Sequence, residues 1–273
     1  MPVFNGERYL REALDSCLAQ TLRDWELVIV DDGSTDGTQA IVDEYASREP
    51  RIRPVKHERN QGLPGALNTG FSIARGELLT WTSHDNRYRP TALAAMEKAI
   101  GTDNSVDVVY ADVDIIDTNG KILRHQPVRD IAAMGFRGNV VGSCFLYGRK
   151  VHDAAGGYAH DLFLAEDYYF WLCAADRFRF RPIHQCLYDY RIHSGTLTSR
   201  FPDARPVGNL ALDRAFKQTS SRLLKAGILI NFAIDHRRDG LSAKVLQHIA
   251  EAMLMHPWAT IRYSPWRSLL TSA

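Results

Sequence analysis

Residues 26–34 read Glu26-Leu27-Val28-Ile29-Val30-Asp31-Asp32-Gly33-Ser34. Four apolar residues in a row end abruptly in two carboxylates, a glycine and a serine. A short continuous apolar run closed by turn residues is the pattern of a strand buried on both faces, and burial on both faces belongs to parallel sheets covered by helices. Upstream, Tyr9–Leu18 sets Leu10, Ala13, Leu14, Cys17 and Leu18 at i, i+3, i+4, i+7 and i+8, one stripe of an amphipathic helix. Downstream, Thr35 or Asp36 can cap a helix with Ile41, Val42 and Tyr45 on its inner face. A strand over Ile52–His57 follows. Then Leu63, Ala66, Leu67, Gly70, Phe71 and Ala74 form another helical stripe, closed by Gly76. Leu78–Thr82 reads as the next strand and ends in Ser83-His84-Asp85-Asn86. Strands alternating with helices predict an α/β fold, a mostly parallel sheet flanked by helices. Ligands of such sheets sit beyond the carboxyl ends of the strands. Both polar clusters, 31–34 and 83–86, fall there.

The rhythm then changes. Val106–Ile116, Val140–Tyr147 and Leu187–His193 read as strands, with Glu166–Ala175 a helix before the last. This stretch reads as α+β material. From about Pro206 the chain turns helical (Leu210–Ile234, then Leu241–Met255), which predicts a main domain over 1–205 and a helical appendage over 206–273. No repeat or low-complexity segment interrupts it.

The 273 residues are 45% apolar and 24% charged, with a formal net charge of +1. No bulk field therefore points to nucleic acid, and Arg177, Arg179 and Arg181 read as a solvated face. No apolar run reaches the roughly 18 residues of a membrane span. Met1–Phe4 leads straight into polar Asn5-Gly6-Glu7-Arg8, unlike a secretory signal; a cytoplasmic protein is expected. Cys17, Cys144, Cys173 and Cys186 lie at no metal-binding spacing and are expected to be reduced. Trp258–Leu270 mixes aromatic, aliphatic and basic residues. Peripheral membrane contact is one reading; Pro265 favours packing back onto the protein.

Five segments carry a resemblance: PVFNGERYL (2–10), SCLAQTLRDWELVIVDDGSTDGT (16–38), NQGLPGALNTGFSIARGELLTWTSHDN (60–86), AEDYYFWL (165–172) and YRIHSGTLTS (190–199). In this order, over roughly residues 1–200, the chain resembles the family 2 glycosyltransferases with the Rossmann-like GT-A fold. The resemblance implies an inverting enzyme that moves a sugar from a nucleotide diphosphate, a UDP- or dTDP-sugar, to a hydroxyl of a glycan or lipid-linked acceptor. Polysaccharide or cell-surface glycan synthesis is the implied setting. The alternative is an inactive nucleotide-sugar-binding module. A nicotinamide-dependent oxidoreductase would need a G-x-G-x-x-G turn after its first strand, and the sequence has none.

The resemblance also distributes roles. Asp32 is placed to accept the imide N–H of uracil or thymine, against the plainer reading of an Asx-turn. Pro2 and Phe4 fall beside the nucleotide. Asn60 and Gly62 open a helix whose free amides can face phosphate or ribose. The family's basic residue near Asn68 is replaced by Leu67, so a phosphate clamp must come from elsewhere. Ser83-His84-Asp85 stands at the family's DxD metal motif. Its first acid is Ser83, which leaves Asp85 as the ligand for Mn²⁺ or Mg²⁺, with His84 near the ribose or behind the metal. Glu166-Asp167 matches the family's ED pair: Asp167 is the expected catalytic base and Glu166 the close alternative, against a reading as helix-capping acids. Arg191 and His193 match a loop over the diphosphate, where positive charge stabilises the leaving group. Relatives open with a further apolar strand ahead of the PVFNGERYL segment. Four lost apolar residues would forfeit roughly 6–10 kcal/mol of burial, so Met1 is expected to be an internal methionine of a longer protein.

Overall fold

The computed structural model describes residues 1–102, 105–131, 138–201, 203–258 and 260. The run that opened the reading is strand β2, Leu27–Asp31, with β1 (Pro2–Val3) and β3 (Ile52–Lys56) parallel on either side. Helices Leu10–Leu18, Thr38–Arg48 and Gly62–Ile73 cover these strands. The first buries Leu10, Ala13, Leu14 and Cys17, the stripe its spacing predicts.

A second sheet runs β4 (Leu78–Leu79), β8 (Phe145–Gly148), β6 (Val108–Ile116), β9 (Phe180–Arg191), β5 (Arg87–Tyr88), with β7 (Ile122–Gln126) paired to β6. Among the described residues parallel pairing continues here only between β6 and β9; the other pairs are antiparallel. Strand β6 is the hinge of the core. All nine of its residues are buried, because apolar clusters pack on both its faces. Asp112 and Asp114 share that burial, and each needs a partner to be tolerated there.

Strand β4 is shorter than the Leu78–Thr82 expected. Beyond Leu79 the threonine hydroxyls take over: Thr80 Oγ1 bonds the Phe145 carbonyl at 2.5 Å and the Tyr88 hydroxyl at 2.8 Å, and Thr82 Oγ1 meets the Tyr188 hydroxyl at 2.7 Å. Among the described residues the two sheets do not join. Between β2 and β4 lies a cavity of about 740 Å³, lined by residues such as Met1, Val28, Gly70, Phe71, Leu78 and Thr80.

The expected helix Leu210–Ile234 is two helices, Arg205–Gln218 and Arg222–Arg238, followed by Ser242–Met255. The break has a local cause, since Ser221 Oγ accepts the Leu224 amide at 3.2 Å and starts a new helix. Ala211, Leu212, Ala215, Leu224 and Ile228 pack on Leu162, Ala165, Tyr169 and Leu172. The helical segment is therefore seated on the helix Glu166–Ala175. Among the described residues no helix is long and apolar enough to cross a membrane. The stretch 258–270 lies outside the described residues except for Trp258 and Thr260.

Candidate functional site

The loops after β1 and β2 knit together. Asn5 N–H donates to Ser34 Oγ (2.9 Å), Thr35 N–H to Asn5 Oδ1 (2.9 Å), and Gly6 N–H to Thr38 Oγ1 (2.8 Å). Asp36 accepts from the amides of Glu7 and Thr38, and Glu7 in turn accepts the Gly37 amide. Of the two caps the sequence allowed, Asp36 is the one whose side chain meets the helix. Gly33 sits at φ +79, and a Cβ there would lie 3.0 Å from the backbone of Arg59 and Asn60. This turn needs glycine both for its dihedral and for the loop pressed against it.

That loop is held by Asp32, which is 3% exposed. Its Oδ1 takes the His57 ring (2.6 Å) and the Gln61 amide (2.9 Å), and its Oδ2 takes the Gly62 amide (2.9 Å). His57 continues to Thr69 Oγ1 at 3.0 Å. Asp32 as placed organises residues 57–62, and a base could reach it only if that loop moved. The amides of Gln61 and Gly62 point at this carboxylate rather than standing free for a phosphate. Asn60 Oδ1 also accepts from Gly62. Asp31 differs: Oδ1 accepts the Ser34 amide at 3.0 Å, while buried Oδ2 has no partner among the described residues. Pro2 is buried in β1, and Phe4 is exposed beside it.

The second polar cluster abuts the first. A Cβ on Gly6 would fall 2.7 Å from the His84 ring, so the two loops are in contact. His84 is hydrogen-bonded to the Pro2 carbonyl, and burial pushes its pKa down. Asp85 Oδ2 meets His193 Nε2 at 3.1 Å, while its buried Oδ1 has no partner among the described residues.

Arg191 is 1% exposed and works inward. It donates to the carbonyls of Asp85 (2.9 Å), Asp117 (3.0 Å) and Thr118 (3.2 Å) and to Glu12 Oε2 (2.5 Å). Glu12 also binds Arg87, which binds Asp189 at 2.7 Å. The guanidinium is thus a strut under the Asp85 loop, not a charge presented to a ligand. His193 packs beside it, its ring 5.0 Å from that of Tyr9. Leu67 lies in the core, and Asn68 brackets Tyr158, donating to its carbonyl (2.8 Å) and accepting its amide (2.9 Å).

Tyr158 brings in the third cluster. Trp81 Nε1 donates to its hydroxyl at 3.0 Å; burial above all pushes that hydroxyl's pKa up, with the Asp167 charge a minor further cause. Glu166 and Asp167 open their helix after Leu164, whose φ is +79. A leucine held there costs about 1–3 kcal/mol, as is common where backbone strain serves a site. The amides of Glu166 and Leu164 donate to the Glu166 carboxylate, whose buried Oε2 has no partner among the described residues. Asp167 is partly exposed and accepts from Asn139 Nδ2 and the Tyr168 amide, both at 2.6 Å. Burial raises both carboxyls, with Asp167's charge a further cause for Glu166.

The sign of that shift gives a stability test. Folded Glu166 titrates above its unfolded value of about 4.5, so the wild type loses stability as pH rises from there toward about 7. Glu166→Gln lacks this loss. Its melting temperature relative to wild type should climb between pH 4 and 7 and then level off, as thermal scans in matched buffers will read. A constant difference across that range would show Glu166 to be solvated.

Sequence reasoning passed over His57, Glu12, Asn139 and Tyr158. None stands in a motif, and each acts on a residue at least 25 positions away.

Comparison with known proteins settles the family. The family model described as Glycosyl transferase family 2 matches residues 1–156, more than half of the chain. The chain belongs to glycosyl transferase family 2. Among family relatives, a putative glycosyltransferase, EpsH, of Bacillus subtilis is 30% identical over 240 residues, 81% of this chain and 69% of the relative. An uncharacterized glycosyltransferase of Rickettsia felis is 32% identical over 209 residues, 71% of this chain and 34% of the relative. The chain spans a third or less of the length of the Rickettsia bellii and Rickettsia conorii relatives. Two solved structures share the fold. S. aureus TarS 1–349 with UDP-GlcNAc superposes at a TM-score of 0.69, with 20% identity over 96% of this chain and 82% of that one. A mannosyltransferase of Pyrobaculum calidifontis with GDP-Man and Mn²⁺ gives 0.68, with 19% identity over 99% of this chain and 81% of that one. The expected family and GT-A fold are both met.

Proposed function

We propose that this chain transfers a sugar from a nucleoside diphosphate to an acceptor hydroxyl in one inverting displacement. The observation that carries the reading is a pairing of carboxylates. Asp85 keeps a buried oxygen with no partner among the described residues, and burial raises the Glu166–Asp167 pair. The acceptor oxygen attacks the anomeric carbon, the bond to the diphosphate oxygen breaks, and Asp167 takes the hydroxyl proton. Asp167 is the better base because it reaches the surface, whereas Glu166 stays buried. Asn139 and the Tyr168 amide fix its orientation.

The nucleotide is read at the joined loops after β1 and β2, beside Pro2, Phe4 and His84. There Asp31 Oδ2, with no partner among the described residues, complements the Asp32 carboxylate that shapes the loop. A carboxylate oxygen with no partner suits a hard divalent cation, so Asp85, with His193 beside it, is the place for Mn²⁺ or Mg²⁺. Such an ion, when bound, neutralises charge on the leaving diphosphate. The solved neighbours were bound to UDP-GlcNAc and to GDP-Man with Mn²⁺. For this chain a uracil or thymine nucleotide and a glycan or lipid-linked acceptor are proposed.

A hydrolysis panel of UDP-, dTDP- and GDP-sugars with Mn²⁺ or Mg²⁺ tests the reading. Metal-stimulated release of one nucleoside diphosphate supports it, and no release from any donor counts against it. Asp85→Ala is expected to weaken nucleoside diphosphate binding at least 10-fold with Mn²⁺ present and little in EDTA, as calorimetry in the two buffers will show. An equal loss in both would mean that Asp85 acts without a metal.

A further inference from the structure

Away from this site, strand register gathers a second set of ligating groups. Asp112 and Asp114 are two apart on β6 and so share a face. Antiparallel β7 sets His125 directly opposite Asp114. Parallel β9 pairs Ile183 with Ala111 but Cys186 with Asp112, an irregularity that leaves His184 and Gln185 without ladder partners. Bulges of this kind re-aim side chains. Here His184 Nδ1 comes to 3.6 Å and His125 Nε2 to 3.4 Å from the Asp112 carboxylate. Cys186 Sγ donates to the Tyr188 carbonyl at 3.8 Å and lies beside Asp114, whose Oδ1 is 2.9 Å from His125 Nδ1. One ligand atom from each of Asp114, His125 and Cys186 falls within 4.8 Å of the others.

We propose that Asp114, His125 and Cys186 form a zinc-class metal site that pins the β6–β7 hairpin to β9. Tetrahedral zinc, with bonds of about 2.0–2.3 Å, sets its ligand atoms roughly 3.3–3.8 Å apart. The cluster therefore needs only side-chain closure, which half-exposed His125 can supply. Thiolate and imidazole beside one carboxylate favour Zn²⁺ over Mg²⁺ or Ca²⁺. Asp112 stands where an outer carboxylate belongs, against the second ring nitrogen of a ligating histidine. Arg89 occupies the other oxygen of Asp114 and leaves Oδ1 to the ion. The hairpin has use for such a clip, because every residue of β7 is exposed. Binding exchanges the Cys186 thiol proton for the ion, and one proton passes to solvent per ion. The scattered cysteines gave no such spacing along the sequence, since the ligands meet through register alone.

Cobalt(II), used as a spectroscopic stand-in, and zinc titrated into the full-length protein test the site. A thiolate-to-cobalt absorption band should appear on titration, and zinc should displace that cobalt, abolish the band and raise the melting temperature. Cys186→Ser should abolish the band, Asp112→Asn should weaken affinity about 10–100-fold, and Asp85→Ala should leave both unchanged. Absence of the band from the wild type, or its persistence in Cys186→Ser, overturns the proposal. Loss of the band in Asp85→Ala would equally do so, because the ion would then belong to the other site.

Discussion

Asp167→Asn is expected to lower turnover by about 10²–10⁴-fold, the range for a lost general base, while leaving donor affinity within a few-fold of wild type. The amide oxygen can still accept the Tyr168 amide, and only the contact to Asn139 Nδ2 is lost, so the helix start should survive. Burial lifts the Asp167 carboxyl to about 6, well above that of a free aspartate. The wild-type rate should therefore rise as pH passes through about 6, where the base loses its proton. The residual rate of Asp167→Asn should lack that limb. Glu166 is raised further, to about 7, by its own burial and by the neighbouring charge. It thus shares the titration of the pair, and the limb is that of two coupled carboxyls. Initial rates from pH 5 to 8, with calorimetric donor affinities alongside, distinguish the roles. An active Asp167→Asn beside a dead Glu166→Gln would exchange them.

The sequence made some of this legible and hid the rest, for physical reasons. Leu10, Ala13, Leu14 and Cys17 are buried where a period of 3.6 puts them, and Leu27–Val30 became a strand because four apolar residues between turns have few alternatives. Locally determined features of this kind read well. The helix Glu166–Ala175 was legible to the residue, because acids at its start and an apolar face mark it. What the sequence concealed depends on distant partners. Arg191 looked like a cation for a diphosphate, but tertiary packing lays it on three carbonyls and Glu12. Val140–Tyr147 shrank to a strand from Phe145 because pairing with β6 begins at Tyr110–Phe145. The antiparallel members of the second sheet were equally hidden, since an apolar run does not state its direction.

Asp32→Ala should cost on the order of 2–4 kcal/mol of folding stability, whatever it does to donor binding. The carboxylate is the acceptor for the Gln61 amide, the Gly62 amide and the His57 ring together. Removing it strands the Gln61 amide and the His57 ring, each at a cost of roughly 1–3 kcal/mol when left unpaired, while the Gly62 amide keeps Asn60 Oδ1. Water entering the small space left by the side chain offsets part of that sum, hence the lower total. The loss would be a large fraction of the 5–15 kcal/mol typical of a domain. Gly33 should be disturbed as well, because its turn packs on the backbone of Arg59 and Asn60, inside the loop that Asp32 secures. Asp32→Asn is the milder control: its oxygen can still accept two bonds, but its amide faces a donor, so an intermediate loss of about 1–3 kcal/mol follows. His57→Ala should cost less than Asp32→Ala, since it leaves both backbone amides their acceptor. Urea denaturation of the three variants without nucleotide measures these differences directly. If Asp32 served only to read a base, Asp32→Ala would unfold at the wild-type urea midpoint and lose affinity alone. That outcome would return the carboxylate to the ligand and leave the loop to other contacts.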